Sequence, residues 1–186
     1  MTTTPTKLSP LRGLRWLAAL LLIGATIVAA AAPKDDPLTV VLVRHAERAD
    51  APADDPPLSA DGLARAEELA RVLGKAGVDA IYVSSLVRTG QTAAPLAEAM
   101  GLTPVALPIV ETAPEPYVAD LIARLRDGHW GQTVLVVSHS HTVPMIAEQL
   151  GAPTGPLGNV YDRLFVITVP RDGEPTLIAA RYGAAN

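Results

Sequence analysis

The chain has 186 residues, which is enough for one domain with its own hydrophobic core. It contains no cysteine, and this excludes disulfides, thiolate catalysis and cysteine-ligated metal sites. Aromatic residues make up 4% and the formal net charge is −4, so the core is expected to be aliphatic and nucleic acid is not expected as a partner.

The N-terminal 32 residues have the pattern of an export signal. Lys7, Arg12 and Arg15 precede an uncharged, apolar stretch over residues 16–32 that ends in small residues. This order is typical of a secretory signal peptide. An uncleaved membrane anchor is the alternative, because a stretch of this length is at the lower limit for a span. Both interpretations predict a periplasmic or secreted domain, attached to the membrane only if the segment is retained.

After a short linker over residues 33–37, apolar strand patterns alternate with helical ones. Strands are expected at 38–43, 80–83, 105–110, 133–137, 163–169 and 176–182. Between them, helices are expected from Ser59 to an end at Gly74 to Gly77, and at about 89–100, 117–125 and about 143–150. The alternation predicts a single three-layer α/β domain over residues 38–186, with a mostly parallel central sheet flanked by helices.

Particular residues predict where these helices begin and end. Ser59 and Thr142 are expected to cap the first and last helices, and Gly101 is expected to stop the second. Pro95 lies inside the second helix and predicts a kink or a late start.

Two of the apolar segments each deliver a histidine at their C-terminal end. The first strand leads into Arg44-His45, and the strand at 133–137 leads into Ser138-His139. Ligands of open α/β sheets bind in the crevice beyond the carboxyl ends of the strands. Both imidazoles are therefore expected in one crevice.

Arginines accompany both the first histidine and a nearby helix start. Arg44 directly precedes His45, and Arg88 follows the strand-end pair Ser84-Ser85. A guanidinium binds phosphate oxygens through parallel N–H donors, and the free N–H groups of a helix start also favour an anion. The pattern indicates a phosphate site, with a capped helix and a solvated arginine as the alternative.

Four segments together resemble the histidine phosphatase superfamily, which includes the cofactor-dependent phosphoglycerate mutases and small bacterial phosphohistidine phosphatases. They are, in chain order, Arg44-His45-Ala46-Glu47, Leu58-Ser59-Ala60-Asp61-Gly62, residues 84–92 and Ser138-His139. The resemblance implies a phosphoglycerate mutase-like fold. It also implies that His45 is the nucleophile that becomes phosphorylated, and that Arg44, Arg88 and His139 form the phosphate pocket.

The chemistry of these residue types agrees with the implied roles. His45 must be neutral to attack phosphorus, and neighbouring arginines lower its pKa because they disfavour the imidazolium. The same cations stabilise charge on the phosphoryl oxygens in the transition state. Water then hydrolyses the labile P–N bond, and this scheme requires no metal and no cofactor.

A general acid must also protonate the departing alcohol. Glu111 is the first candidate, because it follows the third strand-like segment, where mutase-like members carry their glutamate. A solvated loop carboxylate is the alternative. Glu47 is the reserve candidate and, like His141, a candidate substrate contact, although Glu47 equally suits orienting a neighbour and His141 equally suits capping the last helix.

These residues predict an exported, metal-independent phosphatase that acts on a small phosphorylated substrate through phospho-His45. A protein phosphohistidine phosphatase and a mutase are alternative enzymes. A non-catalytic phosphate-binding envelope protein on the same scaffold is an alternative of another class. A His-x-His metal site at His139-Ser140-His141 is the rival interpretation of the second histidine segment. It would need carboxylate or further histidine ligands, and His129 lies in a predicted turn with Trp130.

Overall fold

The computed structural model describes residues 1–2 and 36–185 of the chain. The predicted signal peptide or anchor, and most of the predicted linker, lie outside the described residues. Among the residues that are described, no helix has both the length and the apolar character needed to cross a membrane.

From residue 38 onward, the described chain alternates strands and helices before ending in two consecutive strands. The strands are β1 (Leu38–Arg44), β2 (Val78–Ser84), β3 (Val105–Leu107), β4 (Thr133–Ser138), β5 (Arg163–Val169) and β6 (Thr176–Arg181). The helices are α1 (Ala60–Leu73), α2 (Val87–Met100), α3 (Glu115–Gly128) and α4 (Thr142–Gln149). The predicted strand at 105–110 is thus shorter than expected, and the predicted third helix is longer.

The strands form one sheet in the order β3-β2-β4-β1-β5-β6. The pairings β3·β2, β2·β4 and β4·β1 are parallel, whereas β5 and β6 join antiparallel at one side. The predicted α/β domain with a mostly parallel sheet is therefore confirmed. Because β1, β2 and β4 are adjacent and parallel, their carboxyl ends meet at one edge of the sheet.

Helices cover both faces of this sheet and produce three layers. The central strands are buried on both sides, which explains why they consist almost entirely of aliphatic residues. Helices α1 and α2 pack on one face through a cluster that includes Leu69, Leu96, Val43 and Val137. Helices α3 and α4 pack on the other face through a cluster that includes Leu121, Ile146, Leu42 and Val136.

Most of the predicted helix boundaries are observed. The Ser59 hydroxyl accepts a hydrogen bond from the N–H of Gly62 at 3.1 Å and caps α1. Gly101 ends α2 with a φ of 65°. That helix begins at Val87 and continues through Pro95, so the late start that Pro95 suggested does not occur.

The expected cap of the last helix is different in the structure. His141 occupies the N-cap position of α4 and makes no side-chain capping bond, whereas Thr142 is the first helical residue. The Thr142 hydroxyl accepts a hydrogen bond from the backbone N–H of His139 at 3.0 Å and contacts the Ser138 hydroxyl at 2.6 Å. Thr142 therefore holds the turn that carries His139 instead of capping the helix.

Candidate active site

The two strand-end histidines lie side by side. Arg44 pairs with Ser138 in the β1·β4 register, and the backbone N–H of His45 donates to the carbonyl of Ser138 at 2.8 Å. This continues the sheet pairing by one residue and brings the ring centroids of His45 and His139 to 5.3 Å. The crevice expected from the two apolar segments is present at this edge of the sheet.

His45 has the proton arrangement that a nucleophile needs. Its Nδ1 lies 2.7 Å from the backbone carbonyl oxygen of Ala46. A carbonyl can only accept, so Nδ1 carries the proton and Nε2 carries the lone pair in the neutral ring. Burial lowers the pKa of His45 to about 4, and Arg44 and Arg88 contribute smaller effects in the same direction. Burial, and not the arginines that the sequence suggests, is thus the larger cause of the lowered pKa of His45.

His139 is buried beside His45 and is held by β2. Its Nε2 lies 2.9 Å from the hydroxyl of Ser84, at the carboxyl end of that strand. Burial lowers the pKa of His139 to about 2, with further lowering by the neighbouring His45 and Arg88. Nδ1 is buried and has no hydrogen-bond partner among the described residues.

Arg88 projects from the first turn of α2 and is held between two carboxylates. Its Nη2 donates to Glu111 at 2.7 Å, and its Nη1 lies 3.4 Å from Asp55. Asp55 also accepts from the backbone N–H of Val87 at 3.1 Å. Glu111, the predicted general acid, is therefore in direct contact with Arg88, which is predicted to bind the phosphate.

Arg44 is fixed by the segment that precedes β5. Its Nη1 donates to the carbonyls of Gly158 and Val160, each at 3.3 Å. The guanidinium carbon lies 3.9 Å from the ring centroid of Tyr161, a cation–π arrangement. Burial lowers the pKa of Arg44, and a guanidinium nevertheless stays protonated at neutral pH.

A cavity of about 220 Å³ opens between these side chains, and we call it the phosphate pocket. It brings together six of the seven candidate site residues predicted from the sequence. Its lining comprises Arg44, His45, Arg48, Ala53, Asp54, Pro56, Arg88, Glu111, His139, Ser140 and His141. Arg48 and Tyr161 were not predicted. Arg48 could have been predicted as a pocket residue, because it lies only three residues after His45. Nothing in the sequence places Tyr161 near Arg44.

Glu47 does not line the phosphate pocket. Its carboxylate accepts from Nε and Nη2 of Arg65 at 2.6–3.0 Å, and the two side chains border a different cavity. Burial alone would raise the pKa of Glu47, but the hydrogen bonds and charge of Arg65 lower it overall. Glu47 therefore lies outside the phosphate pocket, and its contact with Arg65 matches the alternative that Glu47 orients a neighbouring side chain.

The described residues do not assemble the rival metal site. Nε2 of His129 contacts the Tyr82 hydroxyl at 2.9 Å, and its Nδ1 contacts Gln132. The His139 and His141 rings are stacked with centroids 5.8 Å apart. Within the described part of the chain, no group of three or more histidine, aspartate or glutamate side chains is placed to hold a metal ion.

Comparison with known proteins agrees with this geometry. Residues 40–111 match the histidine phosphatase superfamily (branch 1). Phosphoserine phosphatase 1 of Hydrogenobacter thermophilus is 31% identical, and the match covers 58% of this chain and 72% of that protein. The chain belongs to the histidine phosphatase superfamily.

Solved structures share the fold of this histidine phosphatase. The protein histidine phosphatase SixA complexed with tungstate superposes with a TM-score of 0.62 at 23% identity, covering 77% of this chain and 96% of that one. The alpha-ribazole phosphatase from Shigella flexneri gives a TM-score of 0.60 at 20% identity, covering 80% and 100%. The phosphoglycerate mutase-like architecture implied by the sequence motifs is thus confirmed.

Proposed function

We propose that this histidine phosphatase hydrolyses phosphate monoesters through a phosphohistidine intermediate on His45. One observation carries the proposal: a neutral His45, with its lone pair on Nε2, lines a small pocket together with three arginines. A nucleophile and a set of cations in one pocket match the two requirements of phosphoryl transfer, which are attack on phosphorus and stabilisation of the oxygen charges.

In the first step, Nε2 of His45 attacks the phosphorus of the bound ester. A P–N bond forms as the P–O bond to the alcohol breaks. Arg44 and Arg88 hold the phosphoryl oxygens, and the Ala46 carbonyl stabilises the positive charge that develops on the ring through the Nδ1 hydrogen bond. His139 lines the same pocket, and its neutral ring binds a phosphoryl oxygen as a hydrogen-bond donor in this scheme.

Glu111 serves as the proton donor to the leaving alcohol in this scheme. In the free enzyme its carboxylate is paired with Arg88 at 2.7 Å. An arriving phosphate competes for the same guanidinium and so releases the carboxyl group of Glu111. The protonated acid passes its proton to the alcohol oxygen as the P–O bond breaks.

In the second step, water attacks the phosphohistidine. Glu111, now a carboxylate, accepts a proton from this water, the P–N bond breaks, and orthophosphate and neutral His45 are released. The three arginines that line the pocket supply the positive charge that a metal ion supplies in other phosphatases, so we propose that turnover is metal-independent.

The relatives act on different phosphorylated compounds according to their names, phosphoserine and alpha-ribazole phosphate among them. We infer that this chain also acts on a small phosphorylated molecule. Protein phosphohistidine hydrolysis, the activity named for SixA, is the alternative activity that the shared fold suggests.

We also propose that the domain works outside the cytoplasm, either released or attached through its N-terminal segment. The support is the basic start, apolar middle and small-residue end of residues 1–32. Fusion of alkaline phosphatase after residue 37 tests this, because that reporter is active only after export. Reporter activity that persists when residues 16–32 are deleted would contradict export by this segment.

Phosphate release from p-nitrophenyl phosphate tests the proposed function directly. The full-length chain is expected to release phosphate in the presence of a chelator, and His45→Ala is expected to release none. Equal activity of the two proteins would overturn the role of His45. Loss of wild-type activity with the chelator, and its return with added zinc, would overturn metal independence.

A further inference from the structure

A second cavity adjoins the phosphate pocket. It has a volume of about 530 Å³ and shares two lining residues, Ser140 and His141, with that pocket. Its other walls come from Pro144 and Glu148 of α4 and from residues 153–159 of the loop that follows. We call this cavity the side groove.

The side groove has the room that the phosphate pocket lacks. Sites for small organic ligands usually measure about 300–1,000 Å³, and the phosphate pocket, at about 220 Å³, is below that range. The remainder of a phosphorylated substrate therefore needs a neighbouring space. The side groove is such a space, because it begins at the same two residues where the phosphate pocket ends.

Contacts of the phosphate-binding residues also fix the walls of the side groove. Arg44 donates to the carbonyl of Gly158, which lines the groove, and to that of Val160 just beyond it. His141 stacks on His139 with an interplanar angle of 20°. The walls of the groove are thus in contact with residues that line the phosphate pocket.

The two cavities have opposite charge character. Three arginines line the phosphate pocket, but neither lysine nor arginine lines the side groove. Glu148 is the acidic residue among those that line the groove, and it forms no ion pair with any described residue. It also borders a further cavity that Arg126 and Arg171 line. A carboxylate or second phosphate in the groove would meet neither lysine nor arginine there, whereas an ammonium group would meet Glu148.

We propose that the alcohol part of the substrate lies in the side groove, and that Glu148 makes the enzyme select alcohols bearing an ammonium group over alcohols bearing a carboxylate. This inference rests on the phosphatase function proposed above. It names Glu148 as a specificity-determining residue at the far end of the substrate, with no part in the chemical steps on His45.

Three five-carbon esters of similar size test the charge preference, because Glu148 lies seven residues, or about 10 Å, beyond His141 along α4. 5-Aminopentyl phosphate carries an ammonium group, 5-hydroxypentyl phosphate is neutral at the same position, and 5-phosphonooxypentanoate carries a carboxylate. We expect kcat/KM to fall in that order for the full-length chain. Each step is expected to be about two- to fivefold, the range for a charge that remains accessible to water.

Substitutions at Glu148 test whether this residue causes the preference. Glu148→Gln is expected to make the ammonium and neutral esters equal, and Glu148→Lys to place the carboxylate ester first. Glu98→Gln is the matched control, because Glu98 is also exposed and its carbonyl accepts from a positive-φ glycine at the end of a helix, as that of Glu148 does. The control is expected to keep the wild-type order.

The groove itself is tested by filling it. Thr154 is half-buried in the groove wall, and Thr154→Trp is expected to raise KM for all three esters several-fold. The inhibition constant of orthophosphate, which needs only the phosphate pocket, is expected to stay within about twofold of that of the wild type.

The outcomes separate this inference from the proposed function. Hydrolysis of p-nitrophenyl phosphate with equal kcat/KM for the three esters, or with the carboxylate ester preferred, would overturn the inference and leave the phosphatase function standing. A preference unchanged in Glu148→Gln would also overturn it. Absence of hydrolysis of p-nitrophenyl phosphate would overturn the proposed function and the inference together.

Discussion

Burial withdraws both imidazoles of the phosphate pocket from water, and this has a direct consequence for the pH dependence of activity. The pKa of His45 is lowered from 6.5 to about 4, so its neutral, nucleophilic form predominates at all pH values above that. We expect the enzyme's acid limb of kcat/KM, after correction for ionisation of the substrate, to lie near pH 4. A limb near 6.5, the value for a solvated imidazole, would contradict the buried environment of His45.

The loss of activity on replacing Glu111 is expected to depend on the leaving group of the substrate. Glu111→Gln keeps the shape of the side chain but cannot donate the proton that an alkyl alcohol needs as it departs. We expect kcat/KM, which reports the first step alone, to fall by about 10²–10⁴ for 2-hydroxyethyl phosphate. p-Nitrophenolate leaves without a proton, so kcat/KM for p-nitrophenyl phosphate is expected to fall much less. Equal losses of kcat/KM with both substrates would show that Glu111 only positions Arg88 in that step.

At the scale of elements, helix α1 is tied to the backbone that follows His45. The N–H of Ser59 donates to the carbonyl of Glu47 at 2.9 Å, and a Cβ on Gly62 would overlap that same carbonyl oxygen. Glycine is therefore needed where α1 begins, because any side chain would force the helix away from the loop that carries His45.

A pair of alanine substitutions tests this contact. Gly62→Ala is expected to lower the free energy of unfolding by about 1–3 kcal/mol, as overpacking does in well-packed interiors. Gly90, in the first turn of α2, has nothing within 4 Å of the position of a Cβ. Gly90→Ala is therefore expected to raise stability by up to about 1 kcal/mol, because alanine favours a helix more than glycine does. Urea unfolding measures both, and equal effects would contradict the close approach at Gly62.

The sequence predicts the strands of this fold better than it predicts the contacts made by side chains in its loops. Continuous aliphatic runs mark strands buried on both faces, so β1 and β4 and the histidines at their ends were predictable. The sequence could not predict that Tyr161 stacks on Arg44, because this contact joins residues far apart in the chain. Nor could it predict the partner of Glu47, since the direction of a side chain in a loop depends on backbone angles that sequence adjacency does not fix.

For the molecule as a whole, Arg65 connects the loop after His45 with the C-terminal segment. It pairs with Glu47 and donates to the carbonyls of Tyr182 and Ala184, each at 2.9 Å. Arg65→Gln is expected to lower the free energy of unfolding by roughly 2 to 3 kcal/mol, less than for fully buried pairs because Glu47 remains partly exposed. Arg71→Gln, which breaks the exposed Arg71–Glu68 pair on the same helix, is the control and is expected to leave stability unchanged.

The Glu47–Arg65 pair also makes global stability depend on pH. The pKa of Glu47 is below its ordinary value of 4.5 in the folded protein, so its contribution is fully present above that value and is lost as pH falls through the folded pKa. Glu47→Gln is expected to flatten the acid side of a plot of unfolding free energy against pH. An unchanged acid slope in Glu47→Gln would contradict the stabilising role of this pair.

Trapping the covalent intermediate tests the role of His45 most directly. The full-length chain is mixed rapidly with p-nitrophenyl phosphate, quenched in alkali, where phosphohistidine survives, and digested for mass spectrometry. We predict one phosphoryl group on His45, which acid removes, and none on the His45→Ala protein. Phosphorylation of another residue, or turnover without any trapped phosphohistidine on His45, would contradict the account.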